Sequence, residues 1–377
     1  MNDSRGTDHE VDVLLVGYFP NDGAIAELFA TFASALSRLC RVAVLAPEGA
    51  DLQVGPEVVR LGFRYDSRRP YQALGPSGIM SHRRAAGLRP VSTLFFTQHP
   101  LNIVAAPLFR RSRRVMWWHE PASRGQASRL RSLAYAANDR FVVRQLDGFV
   151  VASPIVEQSV PEEFQSRTVV VPFPRPEGFD AASKRFDDDP TDVVFFGKLA
   201  PYKGLDVLAD ALVLLASRGV NPTVRLLGAG HLEEAAPLMS QAATSTAARI
   251  EHLDEYASAA DVGSALRASS VCVLPYLTAA GSSTIAIAAH HHSCVLASTA
   301  GSFGDFLIHD ESALLHPPGD AAGLADHIEE ALRDGALRRR LSEQLHSVSE
   351  RRFDRDVVAL ELHRVLMGDG VDGFGTP

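Results

Sequence analysis

Apolar residues fall along this chain in short unbroken runs, separated by longer stretches in which they recur every three or four positions. VDVLLVGYF (residues 11–19) is one such run, stopped by Pro20, Asn21, Asp22 and Gly23. AIAELFATFASALSRL follows at helical spacing, and VAVLAP (residues 42–47) closes a strand, helix, parallel-strand unit. STLFFTQ, VMWWHE, GFVVAS and TVVVPF repeat the strand signal, each ended by a polar residue or proline. Runs apolar at every position suit strands buried on both faces, and therefore a parallel sheet covered by helices.

After VPFPRPEG the chain turns polar through DAASKRFDDDPTD, which reads as a linker, and then a second α/β series begins. VVFFG is a strand, LDVLADALVLLASRG a helix, TVRLLGAG a strand with a glycine turn, SSVCVLPY a strand, STIAIAAHHH a helix, CVLAS a strand and DAAGLADHIEEALRD a helix. The pattern predicts an α/β chain of two doubly wound, Rossmann-like domains facing across a cleft. Its boundaries are a disordered 1–10, a first domain over 11–178, a linker over 179–192, a second domain over 193–345, a C-terminal helix over 346–367 packing back on the first domain, and a flexible tail over 368–377. Ligands of such folds bind beside the carboxyl ends of the strands.

A length of 377 residues supports two cores rather than one. Hydrophobic content of 46% with 22% charged residues describes a globular chain, and no apolar run reaches the roughly 18–20 residues of a membrane-spanning helix. The polar N-terminus MNDSRGTDHE is unlike a secretory signal, so a cytoplasmic protein is expected. Cys40, Cys272 and Cys294 lie in apolar contexts without paired spacing, which argues for reduced, buried thiols and against a disulfide framework or zinc site. The net charge of -8 is uneven: residues 11–175 carry 20 Arg against 13 Asp and Glu, residues 176–377 carry 16 Lys and Arg against 29. A basic first half allows peripheral contact with anionic lipid or an acidic substrate, with Arg83–Arg84 and RRSRR (Arg110 to Arg114) as contacts, or simply a solvated face. Nucleic acid is not expected, because no aromatic residues interleave with these arginines.

Lysine use carries the chemistry. The chain has three lysines, Lys184, Lys198 and Lys203, and two of them flank one turn in FFGKLAPYKG. A strand ending at Gly197 and a helix starting near Gly204 place both ammonium groups at a strand's carboxyl edge, beside a helix N-terminus. Amide N–H groups, the helix dipole and two cations together attract phosphate. The competing reading is that both lysines merely solvate a turn.

At these residues the chain resembles the retaining nucleotide-sugar glycosyltransferases of family 4, which have the two-domain GT-B fold. FGKLAPYKG is similar to that family's Gly-Arg/Lys-Leu-x-Pro-x-Lys-Gly turn, and LLGAGHLEE, IEHLDEYASAADVGSALRASSVCVLPY and CVLASTAGSFGDFLIHDESALLHPPGD follow in the family's order, over roughly residues 193–335. The resemblance implies transfer of a sugar from a nucleoside diphosphate sugar to a hydroxyl acceptor, with retention of configuration and no obligatory metal or cofactor. It implies that Lys198 and Lys203 hold the donor diphosphate, that Gly23, Ser282, Ser283 and Thr284 add to that site, and that Gly228, Leu253 and Asp254 meet the nucleoside. It implies too that His119 in MWWHEP approaches the donor sugar, with a structural histidine as the alternative, and that Gly23 and Asp22 come near the donor phosphate or acceptor, where a plain turn explains them nearly as well. Glu120 reads as a carboxylate toward the acceptor or, more simply, as an exposed loop-end glutamate, and the region from Gly62 to Gly87 as acceptor-gripping loops.

Two glutamates that many members carry eight positions apart fall here at Ala279 and Ile287, so neither carboxylate is present. Ser282 could equally be a plain helix cap. His290, His291 and His292 point about 100° apart around a helix and cannot converge on one ion unaided. The alternative to an enzyme is a catalytically silent GT-B protein that binds or activates a partner transferase. A third reading, a nicotinamide-dependent dehydrogenase, is disfavoured, because GYFPNDG lacks the G-x-G-x-x-G turn.

Overall fold

The computed structural model describes residues 11–20, 24–67, 69–119, 140–176, 178–179, 191–228, 249–253, 257–279, 281 and 283–369. The chain divides into two compact units, residues 1–174 with 355–377, and residues 175–354.

Among the described residues the first unit is built on a seven-stranded sheet, parallel throughout. Its strands are β1 (Val13–Val16), β2 (Val42–Pro47), β3 (Val59–Phe63), β4 (Ser92–Phe95), β5 (Arg113–Trp117), β6 (Gly148–Val151) and β7 (Thr168–Val170), in the order β3-β2-β1-β4-β5-β6-β7. β1, β2, β4 and β6 are buried at every residue, as their unbroken apolar runs require. β3 escapes the sequence pattern because it is an edge strand with Val59 and Arg60 exposed. The helix Ala24–Ser37 buries Phe29, Phe32, Ala33 and Leu36 against this sheet in one core with Trp117. The last helix, Arg355–Met367, adds Val358, Leu362, Val365 and Leu366 to the same core.

Among the described residues the second unit carries a six-stranded parallel sheet. Its strands are β8 (Thr191–Phe196), β9 (Val224–Leu227), β10 (Ile250–Leu253), β11 (Ser269–Leu274), β12 (Cys294–Ser298) and β13 (Leu314–His316), in the order β10-β9-β8-β11-β12-β13. The helix Gly335–Arg352 is capped by Asp334, whose Oδ1 accepts from the N–H groups of Ala336 (2.8 Å) and Leu337 (2.9 Å), and runs unbroken for five turns. The unit therefore ends at Asp354 rather than at residue 345, since a single helix carries the chain past that point. At its other boundary Arg175 donates its N–H to the Phe353 carbonyl (3.0 Å) and its guanidinium to His290 Nδ1 (2.7 Å) and Glu350 (3.3 Å).

Cys272 and Cys294 are free and buried on neighbouring strands, where burial pushes both thiols up, Cys294 to about 12. Cys40 is only half-buried, at the end of a helix, so the expectation of three buried thiols holds for two. Among the described residues no helix is long and apolar enough to cross a membrane.

His316, at the end of β13, is 1% exposed and neither ring nitrogen has a partner among the described residues. Burial, reinforced by His327 nearby, lowers its pKa to about 4. The folded unit thus holds a neutral imidazole that the unfolded chain protonates near pH 6.5. Stability from this residue is complete above about pH 6.5 and is lost as pH falls toward 4, at up to about 1.4 kcal/mol per pH unit. Urea unfolding at pH 7.5 and 4.5 should show a smaller loss in His316→Leu than in the parent; equal losses would assign the acid sensitivity elsewhere.

Candidate functional site

In the second sheet the strand order reverses between β8 and β11, so the loops leaving these neighbours depart to opposite faces and leave a crevice at their carboxyl ends. The loop after β8 is Gly197 to Gly204, the stretch with both lysines. Pro201–Lys203 forms one 3-10 turn, and Gly204 opens the helix Leu205–Ser217 in the left-handed region at φ 70°. A Cβ on Gly204 would stand 1.9 Å from the Pro275 carbonyl oxygen, so only glycine lets this loop lie against the loop after β11. Gly228, after β9, has φ 148°, and a Cβ there would stand 2.1 Å from the Gly197 carbonyl oxygen. The backbones that frame the crevice are thus in direct contact.

The two lysines differ. Lys198 is exposed and makes no hydrogen bond or ion pair among the described residues. Lys203 is 6% exposed, its ammonium folded back over Gly197, where an added Cβ would stand 2.9 Å from Nζ. Nζ donates to the Tyr276 hydroxyl at 2.6 Å and lies 4.6 Å from the centroid of that ring. Among the described residues no carboxylate pairs with it. The view that both lysines only solvate a turn is contradicted at Lys203, whose charge is withdrawn from water. A buried ammonium without a counter-charge is costly, and an anion beside it would lower that cost.

Of the other sequence candidates, Gly228 meets this turn through the Gly197 carbonyl, while Ser283, Thr284 and Leu253 stand on other segments of the same unit. Ser283 stands at the N-cap of the helix Thr284–His290, which displaces the cap expected at Ser282, and its hydroxyl makes no capping bond. Thr284 is buried in the first turn. The Ala279 carbonyl accepts from the Ser302 N–H (2.8 Å), while Ile287 belongs to the unit's hydrophobic core. Gly228 is buried and its carbonyl accepts from His252 Nε2 (3.1 Å); Leu253 ends β10, half-buried. Gly23, Asp22, Glu120, Asp254 and Ser282 lie outside the described residues. The three consecutive histidines take separate partners: His290 faces Arg175, His291 faces Arg267, and His292 stacks on His346 at 3.9 Å. Among the described residues no three His, Cys, Asp or Glu side chains are grouped as metal ligands.

In the first unit His119 follows β5 at the carboxyl edge, half-buried and stacked on Trp117. A carbonyl can only accept, so the 2.9 Å contact to Phe96 O assigns the proton to Nε2. Burial depresses the pKa, so the ring is neutral near pH 7 and its Nδ1 carries a lone pair.

Sequence reasoning missed two groupings. One is Tyr276 under Lys203; its signal was an aromatic residue directly after a strand-ending proline. The other is an aromatic cluster at the reversal point of the first sheet, between β1 and β4. There the Tyr18 hydroxyl donates to His82 Nε2 (2.7 Å), His82 Nδ1 donates to Gly78 O (2.7 Å), and Tyr18 stacks on His99 at 5.1 Å. Phe63 and Tyr65 complete it.

Residues 190–334 match the family model described as Glycosyl transferases group 1. No curated protein sequence matches the chain. Among solved structures, Anabaena HepE in complex with UDP superposes with TM-score 0.74 at 16% identity, over 95% of this chain and all of that one. Sucrose-phosphate synthase from Thermosynechococcus elongatus gives TM-score 0.75 at 16% identity over 94% and 98%. WaaG, a glycosyltransferase involved in lipopolysaccharide biosynthesis, gives 0.67 at 14% over 94% and 100%. With both sheets doubly wound, these likenesses establish the GT-B fold.

Proposed function

We propose that the protein transfers a sugar from a nucleoside diphosphate sugar to a hydroxyl acceptor, with retention of configuration and without a metal. The observation that carries this reading is the Lys203 ammonium, buried without a carboxylate among the described residues, at the strand-order reversal of a Glycosyl transferases group 1 domain. As the bond between the anomeric carbon and the diphosphate breaks, negative charge grows on the leaving oxygens. Lys198 and Lys203 stabilise it, and with that much positive charge in place the reaction has no need of a divalent ion. Gly23, Ser282, Ser283 and Thr284 border the diphosphate in this reading, and Gly228, Leu253 and Asp254 the nucleoside. The Nδ1 lone pair of His119 accepts from a hydroxyl of the transferred sugar, and Asp22 and Glu120 lie toward the acceptor. UDP bound to the structural neighbour HepE supports a nucleotide as ligand. Retention rests on the resemblance of FGKLAPYKG to family 4.

A panel of nucleotide sugars, assayed by mass spectrometry for donor turnover with and without EDTA, tests the proposal. Turnover of one donor, unchanged by EDTA and with the anomeric configuration kept by NMR, supports it. The apolar residues at Ala279 and Ile287 favour the second reading, a silent partner of another transferase; failure to bind any nucleoside diphosphate would select it.

The first unit, through the basic region of residues 11–175 that makes up most of it, is further proposed to rest peripherally on an anionic, inner-face lipid surface. The solvent side of the helix Pro76–Gly87 carries Ile79 and Met80 beside Arg83 and Arg84, with its buried side formed by Gly78, His82 and Ala85. RRSRR contributes less than expected, because Arg113 donates to Val365 O (3.2 Å) and Arg114 pairs with Asp147. Sedimentation with phosphatidylglycerol vesicles should capture the parent at low salt and much less of Arg83→Ala/Arg84→Ala; equal capture would remove this face from the account.

A further inference from the structure

Tyr276 lies 73 positions from Lys203 in sequence, yet it is 1% exposed and meets that lysine with both its hydroxyl and its ring. Its placement is over-determined. The Tyr276 carbonyl accepts from Ser298 Oγ (2.5 Å) on β12, the ring packs on Phe303 with centroids 4.9 Å apart, and the next residue, Leu277, donates its N–H to Tyr202 O (2.7 Å) in the lysine turn. An ammonium can only donate, so at 2.6 Å the phenol oxygen is the acceptor and its own hydrogen needs another partner. Among the described residues the Tyr276 O–H has no acceptor, and two N–H groups of Lys203 have none. The pair is therefore rich in donors and short of acceptors, the composition of an anion site. A free lysine has four rotatable bonds along its stem and loses rotamer freedom when it docks; here the hydrogen bond and the ring face have already fixed Nζ.

We propose that Tyr276 is the positioning residue of this site, holding the Lys203 ammonium in place at the β8–β11 crevice for the donor diphosphate. The inference rests on the proposed donor site and adds a residue to it. Tyr276→Phe keeps the ring and removes only the hydroxyl, so it separates positioning from packing.

The test is a double-mutant cycle over the parent, Tyr276→Phe, Lys203→Met and the combined variant. UDP, GDP and ADP are each titrated by calorimetry, and the tightest is carried through all four proteins, with thermal midpoints as a check on folding. Tyr276→Phe is expected to weaken binding about tenfold in the parent, the scale of one hydrogen bond to a charged group, and by less than about twofold once Lys203 is methionine. Unchanged binding in Tyr276→Phe, or an equal loss with and without Lys203, would overturn the positioning role and leave the donor site standing. Failure of the parent to bind any of the three would take down the donor site and this inference together. Should Lys203→Met not fold, the comparison of Tyr276→Phe with Tyr276→Leu decides: equal binding by the parent and Tyr276→Phe, with loss confined to Leu, would reduce Tyr276 to packing.

Discussion

Lys203→Met is expected to lower kcat/KM for sugar transfer about 100- to 1000-fold, the scale seen when one preorganised electrostatic partner of a transition state is removed. The size follows from burial. An exposed ammonium at such a turn would be screened by water and salt and easily replaced, whereas Lys203 is 6% exposed and held at 2.6 Å from Tyr276. Its field therefore acts through a medium that screens poorly. Methionine keeps the length and volume of the stem, so the fold should survive. Removing a buried charge with no carboxylate partner among the described residues should leave the thermal midpoint unchanged or raise it. Activity lost together with stability would mean that the lysine is a structural element. Lys198→Met, at an exposed position, should cost less. Steady-state kinetics with the donor found by screening, beside thermal unfolding, gives both readouts.

Gly204→Ala should act in the opposite way, through stability first. Its φ of 70° is strained for a residue with a Cβ, and that Cβ would stand 1.9 Å from a carbonyl oxygen of the loop after β11. Backbone strain and forced separation of the two loops together should cost about 2–5 kcal/mol. Each unit has its own hydrophobic core, so the effect is expected in the transition of the second unit, as an earlier urea midpoint for that phase. Gly219 has a similar φ, 76°, but open space around it, so Gly219→Ala isolates the strain without the collision and should cost less.

Much of the second unit was legible because its signals are local. FFGKLAPYKG contains strand end, turn, lysines and helix start within ten residues, and β8, β9, β11 and β12 each announce themselves as apolar runs. Elements that lack such runs were missed: β3 is a half-exposed edge strand, β10 is only partly buried, and β13 has three residues. Partnerships assembled by sheet order were beyond reach for another reason. Tyr276 reaches Lys203 because β8 and β11 are neighbours, a fact set by topology and written at no single position. The same holds for Tyr18, Phe63, Tyr65, His82 and His99, which come from four segments and meet only where the strand order reverses. The burial of Lys203 was likewise hidden, since its neighbours Pro201 and Tyr202 are exposed and the turn reads as a surface feature. At Ala279 and Ile287 the sequence spoke plainly: apolar residues stand where the resemblance to family 4 puts carboxylates, and Ile287 is packed in the core.

The most direct test of the whole account is a structure of the protein with a nucleoside diphosphate bound. A diphosphate oxygen is expected within about 2.7–3.2 Å of Lys203 Nζ, beside the Tyr276 hydroxyl at the β8–β11 crevice. A nucleotide bound away from this turn, or a Lys203 ammonium left without an anion while the nucleotide occupies the protein elsewhere, would contradict it.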